Sequence, residues 1–347
     1  MFNYTLNNSK NIRLFSLIAL CFFALAGCTK APSNSNKTYI ERLSNTLQTA
    51  KPQLNKPTTI SPLLLPEKAL NNTTISLIEL AGLSHCKLSI LISEHNNQLG
   101  KTAGHAGILK YQIDFIQNAQ QCLATLKPSS KIYKTLLSAK NNKEQSLNHY
   151  FNLILYNETE LKHSWQASSA ELSSSPAGFS DTVEAMQQLV AIKHNIETKQ
   201  YLKISSTDIF KALEILNKYR FNQQLINTAR LQIAFNNSAT QFVNTQRLAD
   251  ICPVGKNKKT ANIVSNVFHK FYLGEVQPYQ ANLAGYLGTL LPLYHQLWFN
   301  QPVTNKQVNA LIDSSSKTNL LNQLKRSAKS HVTWWQKFYK TCEISPI

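Results

Sequence analysis

Two cysteines placed symmetrically about a glycine-rich turn constrain this chain more than any other feature. Cys86 lies 18 residues before Gly104 and Cys122 lies 18 residues after it. The turn itself reads Gly100-Lys-Thr-Ala-Gly104-His-Ala-Gly107, with helical patterns over residues 75–99 and 108–126 on either side. In an antiparallel helical hairpin, positions equidistant from the turn stand side by side, so the spacing predicts a Cys86–Cys122 disulfide. Elimination then pairs Cys252 with Cys342, which ties the last helix to the loop before the final third of the chain. Four cysteines allow three connectivities, and the symmetry selects this one. Four buried free thiols are the alternative. No two cysteines have CxxC spacing, which argues against a metal site.

Disulfides need an oxidising compartment, and the N-terminus points to one. Lys10 and Arg13 precede an apolar run, Leu14 to Ala24, that ends in Leu25-Ala26-Gly27-Cys28. A basic start, a short apolar core and small residues before a cysteine resemble a bacterial lipoprotein signal peptide. The run falls short of the roughly 20 residues that a membrane-spanning helix needs; an uncleaved anchor is the competing reading. The resemblance implies cleavage before Cys28, diacylation of its sulfur and acylation of its amine. Two acyl chains anchor stably, at about 0.8 kcal/mol per buried methylene. Residues 1–27 are then a signal peptide, 28–37 a lipidated tether and 38–347 one helical domain. Thr29 rather than Asp follows the cysteine. In enteric-type sorting that favours the inner leaflet of the outer membrane, facing the periplasm.

Removing residues 1–27 takes away Lys10 and Arg13 and no acid, so the formal charge falls from +18 to +16 over 320 residues. In the envelope such a charge suits anionic neighbours such as lipopolysaccharide, phospholipid headgroups or cell-wall polymer, and the expected partners are such polymers or an envelope protein, not nucleic acid. The basic residues are scattered, apart from Lys256/Lys258/Lys259 and Lys325/Arg326/Lys329. A solvated basic surface accounts for most of them.

The remaining pattern is helical throughout. Ile40, Leu43 and Leu47 mark a short amphipathic helix, and Pro52, Pro57, Pro62 and Pro66 then punctuate an extended arm whose Leu63-Leu64-Leu65 is expected to bury. Residues 129–167 read as one long helix. The loop at 173–180 is the best candidate for a subdomain boundary. Ser205 with Asp208 resembles a capping pair at the head of a long stretch toward Asp250. A helix near 263–274 leads to Pro278, and the next, to Phe299, is expected to kink or split at Pro292. Leu321, Leu324, Ala328, His331, Trp335, Phe338 and Cys342 form a helical core stripe. No run alternates as a strand does. The fold class is all-α: a bundle of long antiparallel helices with an extended Pro-containing N-terminal arm, braced by two disulfides.

Candidate sites are few. Glu94, His95 and Asn96 form a polar cluster near the hairpin end, where capping and solvation are the plain explanation. Trp334, Lys337 and Lys340 suggest a surface for lipid or a partner, with Trp334 the aromatic expected off the core stripe. His85, His95 and His105 recur every ten residues, about 1000° of helix, and so share no face. No nucleophile elbow, phosphate loop or HExxH pattern occurs, and no cofactor or metal is implied.

Three stretches resemble an uncharacterised lipoprotein family of about this length found in gammaproteobacteria. They are Ile75-Ser-Leu-Ile-Glu-Leu with Cys86-x-Leu-x-x-Leu-Ile-x-Glu-His-Asn96-x-x-Leu-Gly100-Lys, the answering Cys122-Leu, and Val267-Phe268-x-x-Phe-Tyr272-x-x-x-Val-Gln277-Pro278-Tyr279. With the lipobox, the resemblance spans nearly the whole chain. It implies a lipoprotein with one domain and supplies no activity and no site residue. The expectation is a non-enzymatic binding or structural component of the envelope, attached to the membrane through its acyl chains. The alternatives are an envelope hydrolase with its site near Glu94–Asn97, or a carrier of an apolar or anionic ligand.

Overall fold

The computed structural model describes residues 31–61, 65, 81–97, 100, 102–301 and 305–346. Cys28, the signal segment, Leu63-Leu64 and residues 75–80 lie outside them. Among the described residues the protein is all-α, with no strand and with both disulfides formed: Cys86–Cys122 at a Cα separation of 5.7 Å and Cys252–Cys342 at 5.5 Å. Helix α1 (Ser33–Leu47) leads into the arm. Then come α2 (Lys87–Asn96), α3 (His105–Leu123), α4 (Lys131–Asn157), α5 (Thr159–Lys162), α6 (Phe179–Glu197), α7 (Asp208–Tyr219), α8 (Phe221–Asn244) and α9 (Leu248–Ile251). Helix α10 (Lys259–Val267) runs through a π-helical segment (Phe268–Val276) into α11 (Gln277–Trp298), followed by α12 (Lys306–Ile312) and α13 (Leu320–Cys342). No helix among the described residues is long and apolar enough to cross a membrane.

The apolar faces meet in three clusters. The largest joins Leu109 and Ile113 of α3, Phe151 and Ile154 of α4, Met186 and Leu189 of α6, and Leu287 and Tyr294 of α11. It draws on both sides of the loop at 173–180, so that loop does not separate two cores. A second cluster packs Tyr39, Ile40 and Leu43 of α1 against Phe242 and Val243 of α8, Phe268 and Tyr272 of the π segment, and Trp335 and Phe338 of α13. The third surrounds the Cys86–Cys122 bridge with Leu88, Ile92, Phe115 and Leu136. The predicted stripe of α13 is the buried one: Leu324, His331, Trp335, Phe338 and Cys342 all face the interior.

Several boundaries differ from expectation, each for a local reason. Helix α1 begins at Ser33, inside the stretch assigned to the tether, because Glu171 caps it from across the fold. Among the described residues, a turn over 82–86 interrupts the helix expected over 75–99, and helix resumes at Lys87 with Cys86 at its N-cap. The long helix ends at Asn157, where Glu158 leaves helical geometry and accepts the Ala106 N–H at 2.7 Å, satisfying a free donor of α3. The stretch from Ser205 toward Asp250 breaks at Arg220, which takes a left-handed conformation with φ 48°. Gly178 is also left-handed, and a Cβ there would lie 2.2 Å from the Tyr219 ring, so only glycine fits. Pro292 sits inside α11 without ending it; the carbonyl its ring crowds belongs to Gly288, around which there is open space. Pro278 lacks the N–H that would close the preceding turn, and the π segment immediately before it absorbs the mismatch.

The arm has no regular structure over residues 49–61. Its backbone is held instead by side chains: Asn55 N–H donates to Ser238 at 3.1 Å, Arg230 donates to the Thr58 carbonyl, and Ser61 N–H donates to Gln307 at 2.9 Å. Replacing Cys252 and Cys342 by Ser should cost about 2–4 kcal/mol in urea unfolding, and more than replacing Cys86 and Cys122, because the closed loop is 90 residues against 36. Wild-type stability in either double variant, or free thiols in the mass of the non-reduced protein, would contradict the paired framework.

Candidate functional site: a basic cleft beside the first helix

The cleft is built from three distant segments. Helix α8 contributes its floor and also pins its wall. Asn227 Nδ2 donates to the Gln166 carbonyl at 2.8 Å, and Thr228 Oγ1 accepts the Leu172 N–H at 2.8 Å. From the other side Tyr279 donates its hydroxyl to the Leu172 carbonyl. The loop 166–172 is thus fixed through side chains, though it has no regular structure. The arm, from Leu54 to Thr59, closes the third side. Between them lies a cavity of about 440 Å³.

Its charge is unbalanced. Lys37, Lys56 and Arg230 line it, against one carboxylate, Glu171. Both oxygens of Glu171 are engaged by Ser33: the backbone N–H donates to Oε2 at 2.8 Å and the hydroxyl donates to Oε1. That carboxylate sits at the N-terminus of α1, where the helix dipole favours a negative charge. None of the three cations forms an ion pair among the described residues, whereas Lys110, Lys140 and Lys211 each hold a carboxylate nearby. The rest of the lining is mixed, with Leu54, Pro57, Leu231 and the buried Phe235 among Thr58, Thr59, Ser168 and Asn227.

Behind the cleft, a chain of uncharged polar groups crosses the core. Gln232 donates to Asn36 Oδ1 at 2.9 Å and accepts from Gln280 at 2.9 Å; Asn236 donates to both Gln280 and Ser327 at 3.1 Å. His331, fully buried, lies further along α13. Its Nε2 is 2.7 Å from the Tyr39 hydroxyl and 3.2 Å from Trp335 Nε1. The indole N–H is also 3.2 Å from the Tyr39 hydroxyl. Thr240 donates its hydroxyl to the Asn236 carbonyl at 2.7 Å and so accepts from Nδ1–H at 3.3 Å, which leaves Nε2 as the acceptor. Burial pulls the His331 pKa down to about 3 and pushes the Tyr39 hydroxyl well up. Both groups are therefore neutral at physiological pH.

The residues singled out from sequence fall elsewhere. Glu94 and Asn96 are exposed, and none of the cavities described here is lined by them or by His95. His95 stacks on Tyr111 with ring centroids 3.5 Å apart, and Lys143 Nζ lies 4.8 Å from the same ring. Burial lowers the Lys143 pKa to about 8, while burial and then the Lys143 charge lower that of His95. Gly100 is required at this end because a Cβ would lie 2.3 Å from the His95 carbonyl oxygen. Trp334 is buried, not off the stripe: it stacks on Phe338 and meets Trp335 edge-on, leaving Lys337 and Lys340 exposed without it. His85 approaches Cys86 and Cys122, but their sulfurs are bonded to each other and hold no thiolate pair. Lys37, Lys56, Glu171 and Arg230 were missed because no local spacing links them. Asn36, Gln232 and Asn236 did leave a signal, as polar residues at core positions of α1 and α8.

These features define a disulfide-braced all-α protein whose largest described cavity is a basic cleft between its first helix and its N-terminal arm. The chain belongs to the family described as a protein of unknown function (DUF3080), which matches residues 36–346. Neither a curated protein nor a solved structure gives a match.

The His331 network predicts a pH dependence. The unfolded imidazole binds a proton below its ordinary 6.5, whereas the folded one resists until about 3. Its contribution is thus complete above pH 6.5 and is lost as the pH falls toward 3, with a slope of about 1.4 kcal/mol per unit. His331→Gln should lower stability at pH 7 by about 1–3 kcal/mol and flatten the acid-side slope by about one proton. Urea titrations at several pH values check this; identical slopes in variant and wild type would contradict it.

Proposed function

We propose that this chain is a lipoprotein anchored through acyl chains on Cys28 in the inner leaflet of the outer membrane. Its helical body faces the periplasm, and it works by binding rather than by chemistry. The observation that carries the reading is the position of the cleft. Its lining includes Ser33 and Lys37, on the first turns of the first helix, and Ser33 is only five residues beyond Cys28. A cavity at the root of a membrane tether suits a component that engages material of the membrane or cell wall. The lipobox and the basic composition support the same reading. The resemblance to gammaproteobacterial lipoproteins adds to it.

A hydrolase centred on Glu94 has less support. Glu94 is exposed, its neighbour His95 is occupied by Tyr111, and no described cavity reaches them.

Cys28→Ser tests the anchor. The wild-type protein should sediment with outer-membrane vesicles and yield an N-terminal peptide that starts at residue 28 and carries acyl mass. The variant should lose both properties and keep its helical circular dichroism. A wild-type N-terminus without acyl mass would overturn the reading.

A further inference from the structure

We infer that the cleft between α1, the arm and α8 binds the phosphate-bearing headgroup of a membrane amphiphile. The inference rests on the tethered reading above and adds the ligand class. Three observations carry it.

The first is charge. Lys37, Lys56 and Arg230 line one cavity against a single carboxylate, Glu171, which Ser33 holds at the start of α1. Three cations against one carboxylate leave an excess of positive charge, which attracts an oxyanion. Arg230 spends one donor on the Thr58 carbonyl and keeps others of its planar fork, the group that matches phosphate oxygens.

The second is the lining beside those cations. Leu54, Pro57, Leu231 and Phe235 add apolar surface to a lining otherwise rich in Ser, Thr and Asn, and a free inorganic anion would not use it. The volume of about 440 Å³ falls in the ordinary range for small-molecule sites. A headgroup with the first carbons of its chain uses both the polar and the apolar lining.

The third is reach. Five residues separate Cys28 from Ser33, and fully extended they span at most about 17 Å. Ser33, in the cleft lining, is therefore held within that distance of Cys28. A ligand in the same leaflet is presented at high effective concentration, so only modest intrinsic affinity is required. The other basic groove, about 360 Å³ between α11 and α13 with Lys325 and Lys329 on its rim, has no such relation to the tether and serves as the control.

The test is calorimetric titration of the full-length protein, purified in non-ionic detergent, with dihexanoyl-phosphatidylglycerol and separately with inorganic phosphate. The short-chain lipid should bind, and Lys37→Glu with Lys56→Glu should weaken it by about tenfold or more. Both lysines are exposed, so the helical circular dichroism should be unchanged. Lys325→Glu with Lys329→Glu should leave binding within about twofold, since its charge change is the same but its place is not. Lipid binding unaffected by the cleft substitutions, equal loss in the control, or inorganic phosphate binding as tightly as the lipid would each overturn the inference. The Cys28→Ser chain separates the two readings. If it binds lipid normally while the wild type proves to lack acyl mass, the cleft assignment stands and the anchor fails. If the anchor is present and no lipid binds, the reverse holds.

Discussion

The first helix is held in the core by side-chain hydrogen bonds, and the rest of the architecture depends on its register. Ser33, Asn36 and Tyr39 lie three residues apart on one face of α1, and each meets a different partner: Glu171, Gln232 and His331. Each bond contributes only about 0.5–1.5 kcal/mol net, but leaving a buried group unpaired costs about 1–3 kcal/mol. Sliding α1 along α8 and α13 would orphan several at once. The network therefore specifies one position more than it adds stability, and that position determines where the chain before Ser33 must arrive. The Ser33–Glu171 contact also shapes the cleft, because it holds the one lining carboxylate at the start of α1.

The π-helical segment links this network to the cleft wall. Pro278 forces a local departure from the α-helical ladder, and the wider turn before it carries Phe268 and Tyr272 into the second core. Phe268 stacks on Trp335 with centroids 4.1 Å apart, and Tyr272 packs 4.6 Å from His331. One residue past the proline, Tyr279 anchors the Leu172 carbonyl and with it the loop that bounds the cleft. The stretch from Val267 to Tyr279 thus joins the His331 core to the cleft wall along one continuous helix. Its aromatic residues act through packing and positioning.

How much of this was legible in the chain depended on whether the information was local. The disulfide pairing followed from two distances to one turn. The α13 stripe followed from steps of three and four, which a helix converts directly into one buried face. Helix ends were less legible because distant carboxylates set them: Glu158 caps α3, and Glu171, 138 residues away in sequence, caps α1. Trp334 was misplaced because a strict periodicity argument makes the stripe one residue wide, while a helix flanked on two sides buries a broader arc. The cleft itself was not legible at all. Its cations stand at 37, 56 and 230 and acquire meaning only when α1 and the arm lie across α8.

On the proposed reading the cleft is a lipid-binding site on a helical body tethered to the membrane. The most direct measurement replaces Thr59, an exposed and uncharged residue of the cleft lining, with a photoreactive benzoylphenylalanine in the full-length chain, irradiates intact cells and reads the mass of what becomes attached. The expected result is an adduct of phospholipid mass at position 59 and none when the same residue replaces Lys325. An adduct of polypeptide mass alone at position 59, or equal lipid labelling at 325, would contradict it.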